Sequence, residues 1–396
     1  MVEKLGVVLV GIGGYGSLYV TELLDQAEQS GVELKGVVDP FPENCPRIAE
    51  IRERGIPVHS SLSAFYATSG ADLAVISTPI QFHAEDTCRA LEHGSHVLCE
   101  KPAAARPQDV ERMIAARDRV GRIVAVGYQW SYSQAVQALK RDILSGRFGK
   151  PVRLKTIVLW PRGWQYYARS WAGRVKDPEG RWVLDSVAAN AAAHYLHNML
   201  YVLGGELDRS AVPARIQAEV YRANDIENYD TAAFRIWTRE GVPLLFLATH
   251  AITPEGVRHP EFVYEFEHAQ IRYFAEFGEG TGCIRAVLSD GSEINYGNPS
   301  DDGMAKFRSI VGAIRNGTDV ACGLETAVAH TFCMDAVHRA LPEVPVFPED
   351  WIVRDAEQRI TFVKGLAGMG NRCYDEWRLP FEAGATWAYK AVDTRV

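Results

Sequence analysis

The sequence predicts an α/β protein whose N-terminal part is a doubly wound parallel sheet. Three observations lead there. A continuous apolar, β-branched run, Leu5–Val10, leads into the glycine cluster GIGGYG at Gly11–Gly16. Strand-like and helix-like segments then alternate up to about residue 128. A carboxylate, Asp39, directly follows the second strand-like run. Strands alternating with helices form parallel sheets with right-handed crossovers, and ligands of such sheets sit beyond the carboxyl ends of the strands.

Taken in order, Gly6–Val10 reads as a strand buried on both faces, because no polar residue interrupts it. Ser17–Leu24 repeats Leu and Val at roughly helical spacing, with no breaker before Ser30-Gly31. Between them, Gly11, Gly13 and Gly16 match G-x-G-x-x-G. In that pattern Gly11 makes the turn, Gly13 lets a pyrophosphate approach the backbone, and Gly16 lets the helix pack close to the strand. The helix N-terminus offers N–H groups and partial positive charge to the phosphates. Ile12, Gly14 and Tyr15 belong to the same cofactor-binding turn. Val32–Val38 is the second strand, and Asp39 follows Gly16 at about the 20-residue spacing of a ribose-binding acid. Its charge repels a 2′-phosphate, and Pro40-Phe41-Pro42 supplies no arginine to accept one. NAD is therefore expected rather than NADP.

The alternation continues with strands at Ala71–Ser77, His96–Cys99 and Arg122–Val126, and helices at Phe82–Leu91 and Gln108–Val120. Three stretches fall at strand carboxyl ends: GIGGYG, Ser77-Thr78-Pro79 and Glu100-Lys101-Pro102. Lys101, placed directly after a buried strand, faces the cofactor crevice. A lysine there can relay a proton or polarise a carbonyl, and burial beside a cationic nicotinamide lowers its pKa toward a useful range.

Length and composition set the frame. At 396 residues two domains are expected, 1–128 for the dinucleotide and 129–396 for substrate and oligomerisation, with a C-terminal extension. A net charge of −8 without a basic run argues against nucleic-acid binding. No apolar run approaches a bilayer-spanning length, and the N-terminal apolar stretch is too short for a signal peptide. The seven cysteines form no C-x-x-C, which reads as reduced thiols of a cytoplasmic protein. No metal is expected.

The chain resembles the glucose–fructose oxidoreductase/inositol dehydrogenase/MocA (Gfo/Idh/MocA) family. The residues that carry the resemblance are Gly11–Gly16, Ser77-Thr78-Pro79 with His83, and Ala90-Leu91-Glu92-His93-Gly94-Ser95-His96-Val97-Leu98-Cys99-Glu100-Lys101-Pro102. The resemblance implies a Rossmann domain followed by an α/β domain with a large, open, mainly antiparallel sheet. It implies NAD(P)-linked redox chemistry on sugars or cyclitols, with Lys101 at the active site. It places Thr78, Pro79, His83 and Glu100 with the cofactor and implies a homodimer or homotetramer.

In the second half, strand-like alternation recurs at Arg215–Tyr221, Thr231–Thr238, Leu244–His250 and Phe262–Tyr273. Gln129 and Trp130 lie where the resemblance places the substrate-pocket crossover; hydrogen bonding and stacking on a sugar face, or simple packing, are both open to them. The stretch Pro161–Tyr167, with Arg162 and Trp164, is unusually aromatic for a loop; it either caps the substrate or packs. Val187–Leu203 reads as one helix, which puts Asn190 and His194 on a shared face. The family motif there is Asp-x-x-x-His, so Asn190 is a departure. An amide can orient a hydroxyl but cannot take up a proton. Asp185 stands in the preceding loop, either as a substitute acid or merely near the helix start. His197 reads as structural.

These readings converge on an NAD-dependent dehydrogenase that oxidises a secondary alcohol of a sugar, glycoside or cyclitol by hydride transfer to nicotinamide. His194 accepts the hydroxyl proton, Lys101 hydrogen-bonds the same oxygen, and Asn190 positions a neighbouring hydroxyl. Two alternatives stand beside it. One is a redox-neutral, NAD-dependent glycoside-cleaving enzyme of the same family, and the other is a non-catalytic NAD-sensing protein.

Overall fold

The computed structural model describes residues 4–275 and 282–396. The chain forms two compact units, Met1–Tyr132 with Gly303–Val328, and Ser133–Asp302 with Ala329–Val396. The simple division at residue 128 does not anticipate the return of Gly303–Val328 to the first unit. The helix Ala305–Asn316 explains it: Phe307 packs edge-on to Tyr19, with ring centroids 6.5 Å apart, and Lys306 is fully buried beside it.

The first unit is built on β1 (Leu5–Val10), β2 (Val32–Val38), β3 (Val58–His59), β4 (Leu73–Ile76), β5 (His96–Cys99) and β6 (Val124–Val126). Among the described residues these form one sheet in the order β3-β2-β1-β4-β5-β6, every pair parallel. Val7, Val8, Leu9, Leu73, Val75, Val97 and Leu98 are wholly buried, as expected of strands covered on both faces. The order reverses between β1 and β4, which opens a crevice at their carboxyl ends. The glycine turn and Ser77-Thr78-Pro79 lie there.

The second unit carries β7 (Pro151–Leu159), β8 (Pro213–Tyr221), β9 (Thr231–Thr238), β10 (Pro243–Thr249), β11 (Arg258–Phe266), β12 (Ala269–Phe274), β13 (Ile284–Leu288) and β14 (Glu293–Gly297). A short hairpin, β15 (Ile352–Asp355) and β16 (Ile360–Val363), precedes the last strand, β17 (Val392–Arg395). The large sheet runs β14-β13-β12-β11-β7-β10-β9-β8-β17. Its pairings are antiparallel except for β7 with β10.

Two segments depart from the sequence reading. Phe262–Tyr273 is two strands, turning at Glu267-His268, not one. The buried positions shift phase there, from Phe262, Tyr264 and Phe266 to Ala269, Ile271 and Tyr273, across the exposed pair Glu267-His268, a break that the reading as one strand passed over; Glu267 pins the turn by accepting from Lys150 N at 2.9 Å. Val187–Leu203 is not one helix. It opens with a π-helical turn, Val187–Ala191, closed by Ala192 N donating to Val187 O, and continues as an α-helix from Ala193 to Val202.

The C-terminal extension covers the core of its own unit. Trp387 meets Tyr221 and Phe347 at centroid distances of 5.0 and 4.9 Å, and β17 adds to the sheet edge at β8. Among the described residues no helix is long and apolar enough to cross a membrane.

Candidate active site

The glycine turn separates into glycines that the fold requires and one that it does not. Gly11 has φ +82°, and a Cβ there would lie 2.6 Å from Ser77 O. A Cβ on Gly16 would lie 2.0 Å from Gly11 O. Both positions are closed to any side chain by the protein's own backbone. Gly13 is different: its Cβ would meet nothing nearer than Asn44 Cβ at 3.8 Å. The protein leaves that backbone bare without needing to, as a turn made for a closely approaching diphosphate would. Gly14 takes φ +52°, and its carbonyl accepts from Ser17 Oγ at 2.7 Å.

Asp39 stands beside this turn. Its Oδ2 accepts from Ile12 N at 3.0 Å and its Oδ1 from Phe41 N at 2.8 Å. Ile12 therefore contributes a buried side chain and an amide already bound to Asp39, not a free donor for the cofactor. A carboxylate offers about four acceptor sites, so both oxygens retain capacity for ribose hydroxyls. The cradle fits a dinucleotide. Pro79 caps the helix Ile80–Glu92, and Thr78 Oγ1 donates to Asp86 Oδ2 at 3.2 Å. His83, expected to touch the cofactor, is instead a buried clip: its ring nitrogens lie 2.8 Å from Pro102 O and 2.8 Å from Thr78 O. Both edges of the ring are used in joining the two strand-end loops.

Lys101 follows β5, and its amide donates to Glu100 Oε2 at 3.2 Å. Glu100, also expected at the cofactor, is turned inward. It forms a buried ion pair with Lys306 and accepts from Tyr19 Oη at 2.7 Å. Burial by itself would raise the Glu100 carboxyl; the Lys306 charge and the hydrogen bonds outweigh it and hold the carboxyl below its usual range. Lys306 Nζ also donates to Tyr15 Oη at 3.0 Å, and Tyr15 Oη donates to Gln129 Oε1 at 3.1 Å. The glycine turn, the Lys101 loop and Gln129 thus hang on one buried lysine. Even Gly127 belongs to this arrangement, since a Cβ there would lie 2.7 Å from Glu100 Oε1.

Lys306 is the residue that the sequence reading missed. Its signal was present: Lys306, Ile310 and Ala313 share one helical face, and all three are buried. A lysine on an apolar stripe calls for an acid.

In the second unit, Asn190 sits in the π-helical turn, and its Nδ2 donates to Asp185 Oδ1 at 2.9 Å. Asp185 is 2% exposed and also accepts from Gly173 N at 2.6 Å. Of the two readings for Asp185, the structure gives it a contact with Asn190. His194 opens the α-helical part of the segment. His197 is buried and stacked on Tyr201 at 5.8 Å, with its imidazole held well below the usual range by burial, then by His330 and Lys140. It is a core residue.

The aromatic stretch splits. Trp164 Nε1 donates to Thr361 Oγ1 at 2.9 Å, and Trp164 N to Arg359 O, so this residue packs on the C-terminal hairpin. Trp130 is 3% exposed and is likewise a packing residue. Arg162 lines an open cleft of about 770 Å³ with Trp160, Pro161, Pro254, Val257 and His259. Among the described residues no group of His, Cys, Asp and Glu could hold a metal ion.

Comparison with known proteins agrees with this architecture. Residues 5–128 match the family described as "Oxidoreductase family, NAD-binding Rossmann fold". The chain is 31% identical over 148 residues to a 2,7-anhydro-N-acetylneuraminate hydratase of Mediterraneibacter gnavus, covering 37% of this chain and 38% of that one. It is 31% identical over 155 residues to an inositol 2-dehydrogenase of Streptomyces avermitilis, covering 39% and 44%. The matches thus span less than half the length of these curated relatives. The fold is similar to the WlbA dehydrogenase of Bordetella pertussis, solved with NADH and UDP-GlcNAcA, with TM-score 0.68, 22% identity, and coverage of 85% of this chain and 96% of that one. Residues 5–128 thus match the Gfo/Idh/MocA oxidoreductase family, whose description is of an NAD-binding Rossmann fold.

Proposed function

We propose that this chain is an NAD-dependent dehydrogenase that oxidises a secondary alcohol of a sugar, glycoside or cyclitol. The observation that carries the reading is the cradle: a glycine the fold does not require, Gly13, beside a carboxylate, Asp39, on the sheet edge that also ends in Lys101. Bound NAD supplies the two-electron acceptor. Lys101 donates a hydrogen bond to the alcohol oxygen, His194 takes the hydroxyl proton, and Asn190, oriented by Asp185, holds a neighbouring hydroxyl. These roles follow the family resemblance, residue by residue.

The test is a screen of free sugars, glycosides and inositols by NADH absorbance. One class is expected to reduce NAD, and Lys101→Ala is expected to stop turnover while NAD affinity stays unchanged. Full activity in that variant removes Lys101 from the chemistry. Cofactor choice is tested separately. The wild type is expected to bind NAD more tightly than NADP, and Asp39→Asn to narrow that gap, since the charge facing the 2′-phosphate is gone. Equal wild-type affinities by calorimetry would sink the NAD assignment.

One observation favours a second reading. A similar relative is named a hydratase, not a dehydrogenase. Glycoside cleavage with NAD returned to its starting state belongs to that kind of net redox-neutral chemistry, and release of aglycone without NADH accumulation marks it. The homodimer or homotetramer implied by the resemblance is checked by light scattering.

A further inference from the structure

Arg162 lines the cleft at the end of β7, and it and two residues packed around it, Tyr167 and His250, carry buried polar atoms that the protein leaves unsatisfied. Parallel pairing of β7 with β10 runs on past both strands: Trp160 N donates to Thr249 O, and Arg162 N to His250 O. Arg162 and His250 are therefore neighbours across the ladder. The Arg162 guanidinium lies over the rings of Tyr166, at 5.2 Å, and Trp160, at 5.8 Å. It has no acidic partner among the described residues, in a protein of net charge −8 whose arginines are widely ion-paired. Its Nε is buried without a hydrogen-bond partner. Buried N–H groups of that kind are rare and call for an acceptor.

Two further atoms share this condition. His250 is 2% exposed, and its Nδ1 lies 2.8 Å from Trp160 O. A carbonyl only accepts, so Nδ1 carries the proton and Nε2 is left as an acceptor. That Nε2 has no partner, and neither has the buried hydroxyl of Tyr167. Burial pushes the His250 imidazole down to about 3; the Trp160 carbonyl opposes this and the Arg162 charge adds to it, so the ring is neutral at physiological pH. Tyr166 stands 5.8 Å from the His250 ring and 5.1 Å from that of Tyr167, which ties the group together.

An unpaired guanidinium, a neutral acceptor nitrogen, a hydroxyl and an aromatic wall make a specific combination. The guanidinium fork matches a carboxylate or phosphate, the acceptor takes a hydroxyl proton, and the aromatic faces suit the C–H face of a ring. We infer that this cleft binds a sugar carrying an anionic substituent, a carboxylate or a phosphate, with Arg162 holding the anion and His250 Nε2 accepting from a ring hydroxyl. The inference rests on the functional reading above for the sugar and on the cleft alone for the charge.

The test is calorimetric titration of the full chain, in the presence of NADH, with D-glucuronate, D-glucose 6-phosphate and D-glucose. NADH cannot oxidise these sugars, so binding is read without turnover. At least one anionic sugar is expected to bind about tenfold or more tightly than glucose, as a charged hydrogen bond provides. Preference for glucuronate identifies a carboxylate site and preference for the phosphate a phosphate site. Arg162→Gln is expected to abolish the preference at an unchanged thermal midpoint, and Arg162→Lys to keep part of it. His250→Phe is expected to weaken all three sugars alike. Equal affinity for the three sugars, or an anion preference that survives Arg162→Gln, overturns the inference. A chain that binds the anions yet reduces NAD with no sugar overturns the functional reading alone.

Discussion

Lys306→Met is expected to lower the free energy of unfolding by about 3–5 kcal/mol, the range for removing one partner of a buried ion pair. The size follows from what is left behind. Glu100 keeps Tyr19 as a donor but loses the cation that offsets its burial. Urea unfolding followed by circular dichroism measures the loss. The double variant Glu100→Gln/Lys306→Met is expected to recover much of it, because no charge then remains buried without a partner. A loss in Lys306→Met below about 1 kcal/mol, the range of an exposed pair, would mean that the two groups are effectively solvated. The wild-type pair also has a pH signature. The folded Glu100 carboxyl binds a proton less readily than the unfolded one, so its contribution is complete above the unfolded carboxylate pKa, near 4.3, and fades as pH falls through the lower folded value. Acid unfolding of Glu100→Gln is therefore expected to be less steep than that of wild type. Because Lys306 also holds Tyr15, and through it Gln129, Lys306→Met is expected to weaken NAD binding as well.

His194→Ala is expected to lower the rate of alcohol oxidation by about two to four orders of magnitude, the usual range for losing a general base. NAD affinity is expected to stay constant, since the glycine cradle and Asp39 belong to the other unit. The wild-type rate should rise with pH as the imidazole loses its proton, and that limb should vanish in the variant. Asn190→Asp places a carboxylate where the family motif has one, and a negative charge there favours imidazolium, so the rising limb should move to higher pH. A pH profile that is flat in wild type and unmoved in Asn190→Asp passes the proton-accepting role to Lys101. That result would favour the redox-neutral reading over the dehydrogenase.

What could be read from the sequence was local. A strand, a glycine turn and a helix lie within one short stretch, so Gly11–Gly16 could be read from its spacing together with that context and the Asp39 that follows the next strand. Gly11 and Gly16 prove to be required by contacts with the neighbouring loop and with the turn itself. The same holds for the alternation that builds the parallel sheet, and for Asp39, which the turn reaches across adjacent strands. Four strand-like stretches of the second half, Arg215–Tyr221, Thr231–Thr238, Leu244–His250 and Phe262–Tyr273, were legible too, whereas β13 to β17 were not marked.

Everything that depended on distant partners was decided only by the tertiary structure. Glu100 turns inward because a lysine 206 residues later in the chain arrives to meet it. Trp164 packs because Thr361 reaches its indole, and Trp130 because its surroundings close over it. The π-helical turn at Val187–Ala191 leaves the apolar run unbroken, so periodicity had no means to mark it, whereas the hairpin at Glu267-His268 does shift the phase of the alternation. Arg162 and His250 sit 88 positions apart in sequence, by subtraction of their numbers, yet share one backbone hydrogen bond. Sequence spacing encodes which face a residue shares with its near neighbours; which charge, carbonyl or ring it meets across the fold is set by how strands 90 or more residues apart come into register.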